Sequence, residues 1–248
     1  MPETSVIILR ILLPFTVMLA LIPLLVWLER KGSAYIQDRP GPNRAAILGI
    51  RLGGLLHPLA DVIKLAFKED FIPSGANRFY YYLAPFLTFC VASVTFLVIP
   101  FGSPITFGTQ IIHLQAASLN IGILYILAIS SLGVYGIMLA GLASHNKFAL
   151  LGGLRASAQM ISYELSLGLA IISLVMTTGS LDLQEMVQQQ SPLLWRWNFI
   201  RDPLAFLIVI VASFAEINRI PFDLPEGESE LVAGYHVEYS SLKFAMFF

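Results

Sequence analysis

Seven carboxylates occupy positions where a charge is costly to keep. Glu164 sits in ISYELSLGLAII and Glu216 in VASFAEINRIPF, both within long apolar runs. An ionised group at the centre of a membrane helix costs about 2.5–3.5 kcal/mol on insertion scales. Such groups face a bundle interior, pair with a cation, or stay protonated. Two interhelical pairs are available, Glu164 with Arg155 and Glu216 with Arg219. A proton relay is the preferred reading, because the acids continue. The stretch PFDLPEGESELVAGYHVEYSS adds Asp223, Glu226, Glu228, Glu230 and Glu238, with no basic residue among them. Clustered like charges raise one another's pKa unless water or cations reach them. A solvated acidic loop is the plain alternative, but the interleaved Phe222, Leu224, Leu231 and Val232 predict partial burial. A string of coupled carboxylates between two apolar spans is what a proton path needs.

Other chemistry is excluded by what the chain lacks. Its one cysteine, Cys90, lies in an apolar run and reads as a small buried hydrophobe. Disulfides, thiolate zinc sites and iron–sulfur clusters within this chain are thereby ruled out. Neither a G-x-G-x-x-G fingerprint nor a G-x-x-x-x-G-K-[ST] loop occurs, so no nucleotide site is visible. His57, His113, His145 and His236 have no metal-ligand spacing. The net charge of −1 is uninformative, and no nucleic-acid partner is expected.

The elements that must hold these acids follow from hydropathy. Of 248 residues, 56% are hydrophobic and 12% charged, about half the charge of an ordinary soluble domain. From Phe79 to Asn146 there are 68 consecutive residues without Asp, Glu, Lys or Arg. A helix needs only about 20 apolar residues to cross a bilayer. The expected fold is an all-α integral membrane bundle forming a single transmembrane domain over residues 1–248. Spans are expected near Val6–Leu28, Tyr80–Phe101, Leu119–Ala143, Met160–Thr178 and Pro203–Ile220. The apolar, aromatic residues from Tyr239 to Phe248 read as the start of a sixth span, as if the chain were cut there. The first span reads as retained, not as a cleaved signal. Twelve of the fifteen basic residues lie in the segments 29–78 and 144–159 and after the fifth span. The positive-inside rule then puts the N-terminus outside and the loop 29–78 inside.

That loop is too long and patterned to be a mere connection. It opens with ERKGSAYIQDRPGPNR, where Pro40, Gly41 and Pro42 force a rigid turn. Leu55, Leu56, Leu59, Val62, Ile63, Ala66 and Phe67 then recur at helical spacing, with Asp61, Lys64 and Lys68 between them. This predicts a short amphipathic helix at the inner membrane surface, started by Pro58. Two readings stay open: a lipid-facing anchor, or the lip of a site that admits an amphipathic ligand from the bilayer. A second inner-side loop, residues 221–238, carries the acids.

ERKGSAYIQDRPGPNR, HPLADVIKLAFKED, ISYELS and AEINRIPFDLPEGESELVAGYHVEYSSLKFAMFF together resemble subunit 1 of respiratory complex I, known in bacteria as the H subunit of the proton-pumping NADH:quinone oxidoreductase. The resemblance runs from Glu29 to Phe248. It departs at His57, where the family usually has Gln, and at Ala45-Ala46, where it usually has Val-Gly. It implies eight transmembrane helices, of which this chain supplies five and the start of the sixth. It also implies that quinone is the substrate, with Glu29, Arg30 and Asp61 lining its tunnel and Phe248 at the mouth. Glu164, Glu216, Asp223, Glu226, Glu228, Glu230 and Glu238 would form the acidic path toward antiporter-like subunits. No residue here would be a nucleophile or redox centre; NADH, FMN and the iron–sulfur clusters belong to partner subunits. Those partners, from both the hydrophilic and the membrane arm, come with the lipid bilayer as surroundings. The bacterial inner membrane is expected over the mitochondrial one. Alternatives are the equivalent anchor of a membrane-bound hydrogenase or F420H2 dehydrogenase, a purely structural anchor, and a free-standing ion transporter.

Overall fold

The computed structural model describes residues 3–47, 49, 51–102, 105–107, 110–112, 114–190, 193–227 and 232–247, of which 3–11, 13, 14, 105–107 and 110–112 are described by backbone alone. Nine helices and one small hairpin occur among them: α1 Glu3–Ile36, α2 Leu56–Phe67, α3 Arg78–Thr95, β1 Ile105–Phe107, β2 Gln110–Ile112, α4 Gly122–Ala143, α5 Lys147–Thr178, α6 Leu183–Gln188, α7 Asn198–Arg201, α8 Pro203–Glu216 and α9 Ser241–Ala245. Among the described residues, Arg78–Val98, Gly122–Ala143 and Lys147–Thr178 are long and apolar enough to cross a membrane. The fold is that of a multi-span helical membrane protein.

Four helices, α3, α4, α5 and α8, pack side by side in that order, and small residues set their spacing. A Cβ added at Gly136 of α4 would lie 2.4 Å from Thr88 Cγ2 of α3. One at Gly141 would lie 2.7 Å from the Ala149 carbonyl of α5. Lipid is as apolar as leucine, so membrane helices associate through such close backbone approach and not through hydrophobic burial. The outward faces agree: Leu165 and Leu169 of α5 are each 70% exposed, Met176 81%.

The buried core sits at one end of the row. Tyr81 and Ala84 of α3, Ile137 and Ala140 of α4, and Ala156 and Met160 of α5 meet Tyr235 and Tyr239 there. Tyr81 and Tyr239 stack with ring centroids 4.2 Å apart. The same end gathers α2, α9 and the segment between α8 and α9.

Four features differ from the sequence expectation. Helix α1 runs on to Ile36, past the expected end at Leu28, so Glu29 and Arg30 belong to it and not to the loop. Helix α5 begins at Lys147, not near Met160, so Arg155 lies within a helix. Asn146 caps it by accepting from the Phe148 N–H at 2.9 Å, and Gly152 and Gly153 let its first turns pack closely at the bundle end. Helix α8 stops at Glu216 after 14 residues, about 21 Å, short of the roughly 30 Å hydrocarbon core. Asn218 turns left-handed, at φ 48°, and diverts the chain before the expected end at Ile220. The uncharged loop between α3 and α4 forms a short antiparallel hairpin, pairing Ile105 with Ile112 and Phe107 with Gln110.

Candidate functional site

The amphipathic helix exists as α2, and it lies against α1 with a cavity of about 680 Å³ beside it. Its apolar lining comes from Ile22, Pro23 and Val26 of α1, Val62 and Leu65 of α2, and Phe244 of α9, and its charged lining from Glu29, Arg30, Arg39, Asp61 and Arg219. Arg30 Nη1 lies 2.5 Å from Asp61 Oδ2, and Arg219 Nη1 lies 3.3 Å from Glu29 Oε1. The volume is that of a small-molecule site, and the composition, apolar with a few convergent polar groups, is usual for one.

The wall facing α2 is the turn at Pro40–Pro42, and α1 holds it in place. Lys31, 8% exposed, donates from Nζ to the Pro40 carbonyl at 2.7 Å and to Asn43 Oδ1 at 2.8 Å. Trp27 Nε1 donates to the Gly53 carbonyl at 3.1 Å. Gly54, at φ +100°, brings its backbone against Pro42, where an added Cβ would lie 2.1 Å from the carbonyl oxygen. Only glycine fits both that dihedral and that approach. Ala45 N–H donates to His57 Nε2 at 3.3 Å. A second cation, Lys243 Nζ, sits 2.8 Å from Asp70 Oδ2 and 3.9 Å from the centre of the Tyr82 ring, pinning α9 beside α3.

Glu164 of α5 and Glu216 of α8 lie on helices that pack against each other. Neither follows the ion pairing considered from sequence. Ser131 of α4 hydrogen-bonds Glu164 Oε1. Arg219 pairs with Glu29, and Arg155 is exposed. Glu164 also borders a cavity of about 380 Å³ lined by Leu127, Ile161, Leu165 and Ile172.

Beyond α8 the acids run along the bundle end. Gln159 Nε2 of α5 donates to Asn218 Oδ1 at 3.0 Å and to the Phe222 carbonyl at 2.9 Å, fixing the chain next to Asp223. Glu226 is buried, and its Oε1 accepts from Tyr235 Oη at 3.1 Å. Burial, then the Glu226 charge and this hydrogen bond, push the Tyr235 phenol well above its ordinary range. Glu238 Oε1 accepts from Asn146 Nδ2 at 2.8 Å, and its carbonyl accepts from Tyr81 Oη at 2.5 Å. Positions 225–227 and 234–236 of this segment are buried, but not through the apolar residues that suggested it, since Leu224 and Val232 are exposed. Glu228, Glu230, Phe248 and His113 lie outside the described residues.

Glu29, Arg30 and Asp61, singled out from the sequence, are thus brought together, and Glu164 and Glu216 lie on packed helices. Sequence reading missed Arg219 and Phe244 as cavity residues, Lys31 as the holder of the turn, and Ser131 as the partner of Glu164. Among the described residues, no group of three or more His, Cys, Asp or Glu could hold a metal ion.

The sequence pattern of the NADH dehydrogenase family matches residues 8–248. The chain belongs to that family. Among its NADH dehydrogenase relatives, an NADH-quinone oxidoreductase H subunit from Solibacter usitatus is 52% identical over 238 residues, covering 94% of this chain and 59% of the relative. The protein of the same name from Cytophaga hutchinsonii is 52% identical over 233 residues, covering 94% and 66%. That from Geobacter metallireducens is 50% identical over 239 residues, covering 96% and 70%. The chain thus spans less than two thirds of the length of the first two. Membership in the NADH dehydrogenase family and the long apolar helices agree on a membrane location.

Proposed function

We propose that this chain is the quinone-facing membrane subunit of a proton-translocating NADH:quinone oxidoreductase. The cavity beside α2 takes the quinone. Its apolar lining suits the ring and tail, and Arg30, Asp61, Glu29 and Arg219 offer donors and acceptors to the ring oxygens. Reduction of quinone to quinol takes up electrons and protons in equal number. The electrons come from partner subunits that carry NADH, FMN and iron–sulfur clusters. The protons move through Glu164, Glu216, Asp223, Glu226 and Glu238, with Glu228 and Glu230 assigned to the same role and Phe248 to quinone binding. In this reading the loop 29–78 docks a soluble partner on the inner face of a bacterial inner membrane.

One observation carries the reading: Glu29, Arg30 and Asp61, from two different helices, line a single, largely apolar cavity. The test is Arg30→Ala in the assembled complex. Quinone reduction is expected to fall about tenfold or more, as for a lost hydrogen bond to a charged group. Electron transfer from NADH to ferricyanide, which bypasses quinone, stays near its starting rate. Equal loss of both activities means failed assembly and overturns the quinone-site assignment. For the acids, Glu216→Gln is expected to lose quinone reduction and proton translocation together while the complex assembles. An assembled Glu216→Gln complex that pumps normally removes that residue from the path.

A further inference from the structure

The serine that holds Glu164 has a second acceptor. The Leu127 carbonyl of α4 lies 2.8 Å from Ser131 Oγ. A serine hydroxyl has one proton and two lone pairs. Toward an ionised carboxylate it donates. Toward the O–H of a carboxylic acid it accepts, and its own proton then needs another acceptor. Here that acceptor is in place.

We propose that Ser131 is a positioning residue that keeps Glu164 hydrogen-bonded in both protonation states. The inference rests on the proton-path reading of Glu164. When a proton arrives on Glu164, the new carboxyl O–H turns to Ser131 Oγ, and Ser131 swings its own proton to the Leu127 carbonyl. When the proton leaves, the hydroxyl swings back to the carboxylate. Only the acid O–H bond forms or breaks, and α4 does not move. Without the hydroxyl, Glu164 would lose this partner in both states, beside an apolar cavity where an unpaired polar group is costly. Proton transfer would slow at that point.

The experiment uses the assembled complex in native membrane vesicles. Ser131→Ala is compared with Ser131→Thr, which keeps the hydroxyl. Quinone reduction, proton translocation and assembly on native gels are measured together. The alanine complex is expected to assemble and to translocate protons about tenfold more slowly, while the threonine complex retains most of the rate. Ser162→Ala is the control, since that exposed hydroxyl bonds its own helix at the Ala158 carbonyl. A carboxylic-acid C=O band in infrared difference spectra is expected to move to higher frequency in the alanine variant, as a hydrogen bond is lost. Should the alanine complex fail to assemble, the isosteric pair Ser131→Thr and Ser131→Val decides. Activity in the threonine complex alone supports the inference, and equal activity or equal loss overturns it. An alanine variant that pumps normally beside an inactive Glu164→Gln complex overturns the serine role and leaves the proton path standing. Normal pumping in the Glu164→Gln complex overturns that residue's place in the path and the inference with it.

Discussion

Arg219 reaches back 190 positions to place its Nη1 3.3 Å from Glu29 Oε1. The bond ties the chain just beyond α8, and so the C-terminal end of the Glu216 helix, to the lining of the cavity on α1. It joins the apolar cavity to the segment that leads to the buried acids. The side chains are 44% and 55% exposed, so the pair contributes less than about 1 kcal/mol to stability. Arg219→Met is therefore expected to leave assembly and thermal stability unchanged. It should raise the KM for a soluble quinone analogue several-fold, because Glu29 is left unpaired beside an apolar ligand. Steady-state kinetics checks this, and an unchanged KM would remove Arg219 from the cavity's function.

Lys31 is a buried cation whose partners are a carbonyl and an amide oxygen, not a carboxylate. Lys31→Met keeps the length of the side chain and removes both hydrogen bonds. Bonds to a charged group are worth about 1.5–3 kcal/mol each. The expected result is faster protease cleavage between residues 39 and 54 and a lower melting temperature. Limited proteolysis of the purified complex reads the first directly. Cleavage at the original rate would show that the turn does not depend on Lys31.

His57 accepts the Ala45 N–H through Nε2, which requires its proton on Nδ1. A glutamine there can accept the same bond through its side-chain oxygen, and alanine cannot. His57→Gln is expected to match the unsubstituted protein in stability. His57→Ala leaves a backbone donor without a partner and should cost about 1–3 kcal/mol. Thermal denaturation of both variants separates the cases. Equal loss in both would mean that ring packing, and not the hydrogen bond, is what His57 provides.

Tyr235 is held neutral by burial and by its bond to Glu226. A group whose folded pKa is raised contributes stability that is fully present below the unfolded value. For tyrosine that value is about 10, and the contribution is lost as pH rises through the folded value. The Tyr235 phenol is therefore expected to ionise at higher pH than exposed tyrosines, seen as an absorbance difference in the near ultraviolet between the protein and Tyr235→Phe. The bond depends on a close contact: a Cβ added at Gly152 would lie 2.8 Å from the Gly234 backbone. Gly152→Val should push the 225–235 turn off α5 and bring the Tyr235 titration back toward the ordinary range. Unchanged titration in that variant would show that the contact does not set the tyrosine's surroundings.

The sequence by itself determined which segments are apolar enough to span a membrane. It also determined that α2 is amphipathic and that acids sit where charge is costly. Those features are local, carried by hydropathy and helical period, and a helix keeps them whatever it packs against. Helix ends were less legible. The early start of α5 depends on glycines meeting α4, and the early stop of α8 depends on Gln159 of another helix gripping Asn218. The partners of the acids were not legible at all. Glu216 has Arg219 three residues on, yet the arginine turns to Glu29 of α1, and Glu164 bonds Ser131 of α4. Which face of one helix meets which face of the next depends on where small residues let backbones approach. That choice is made between segments far apart in the chain, so only the tertiary structure decided it.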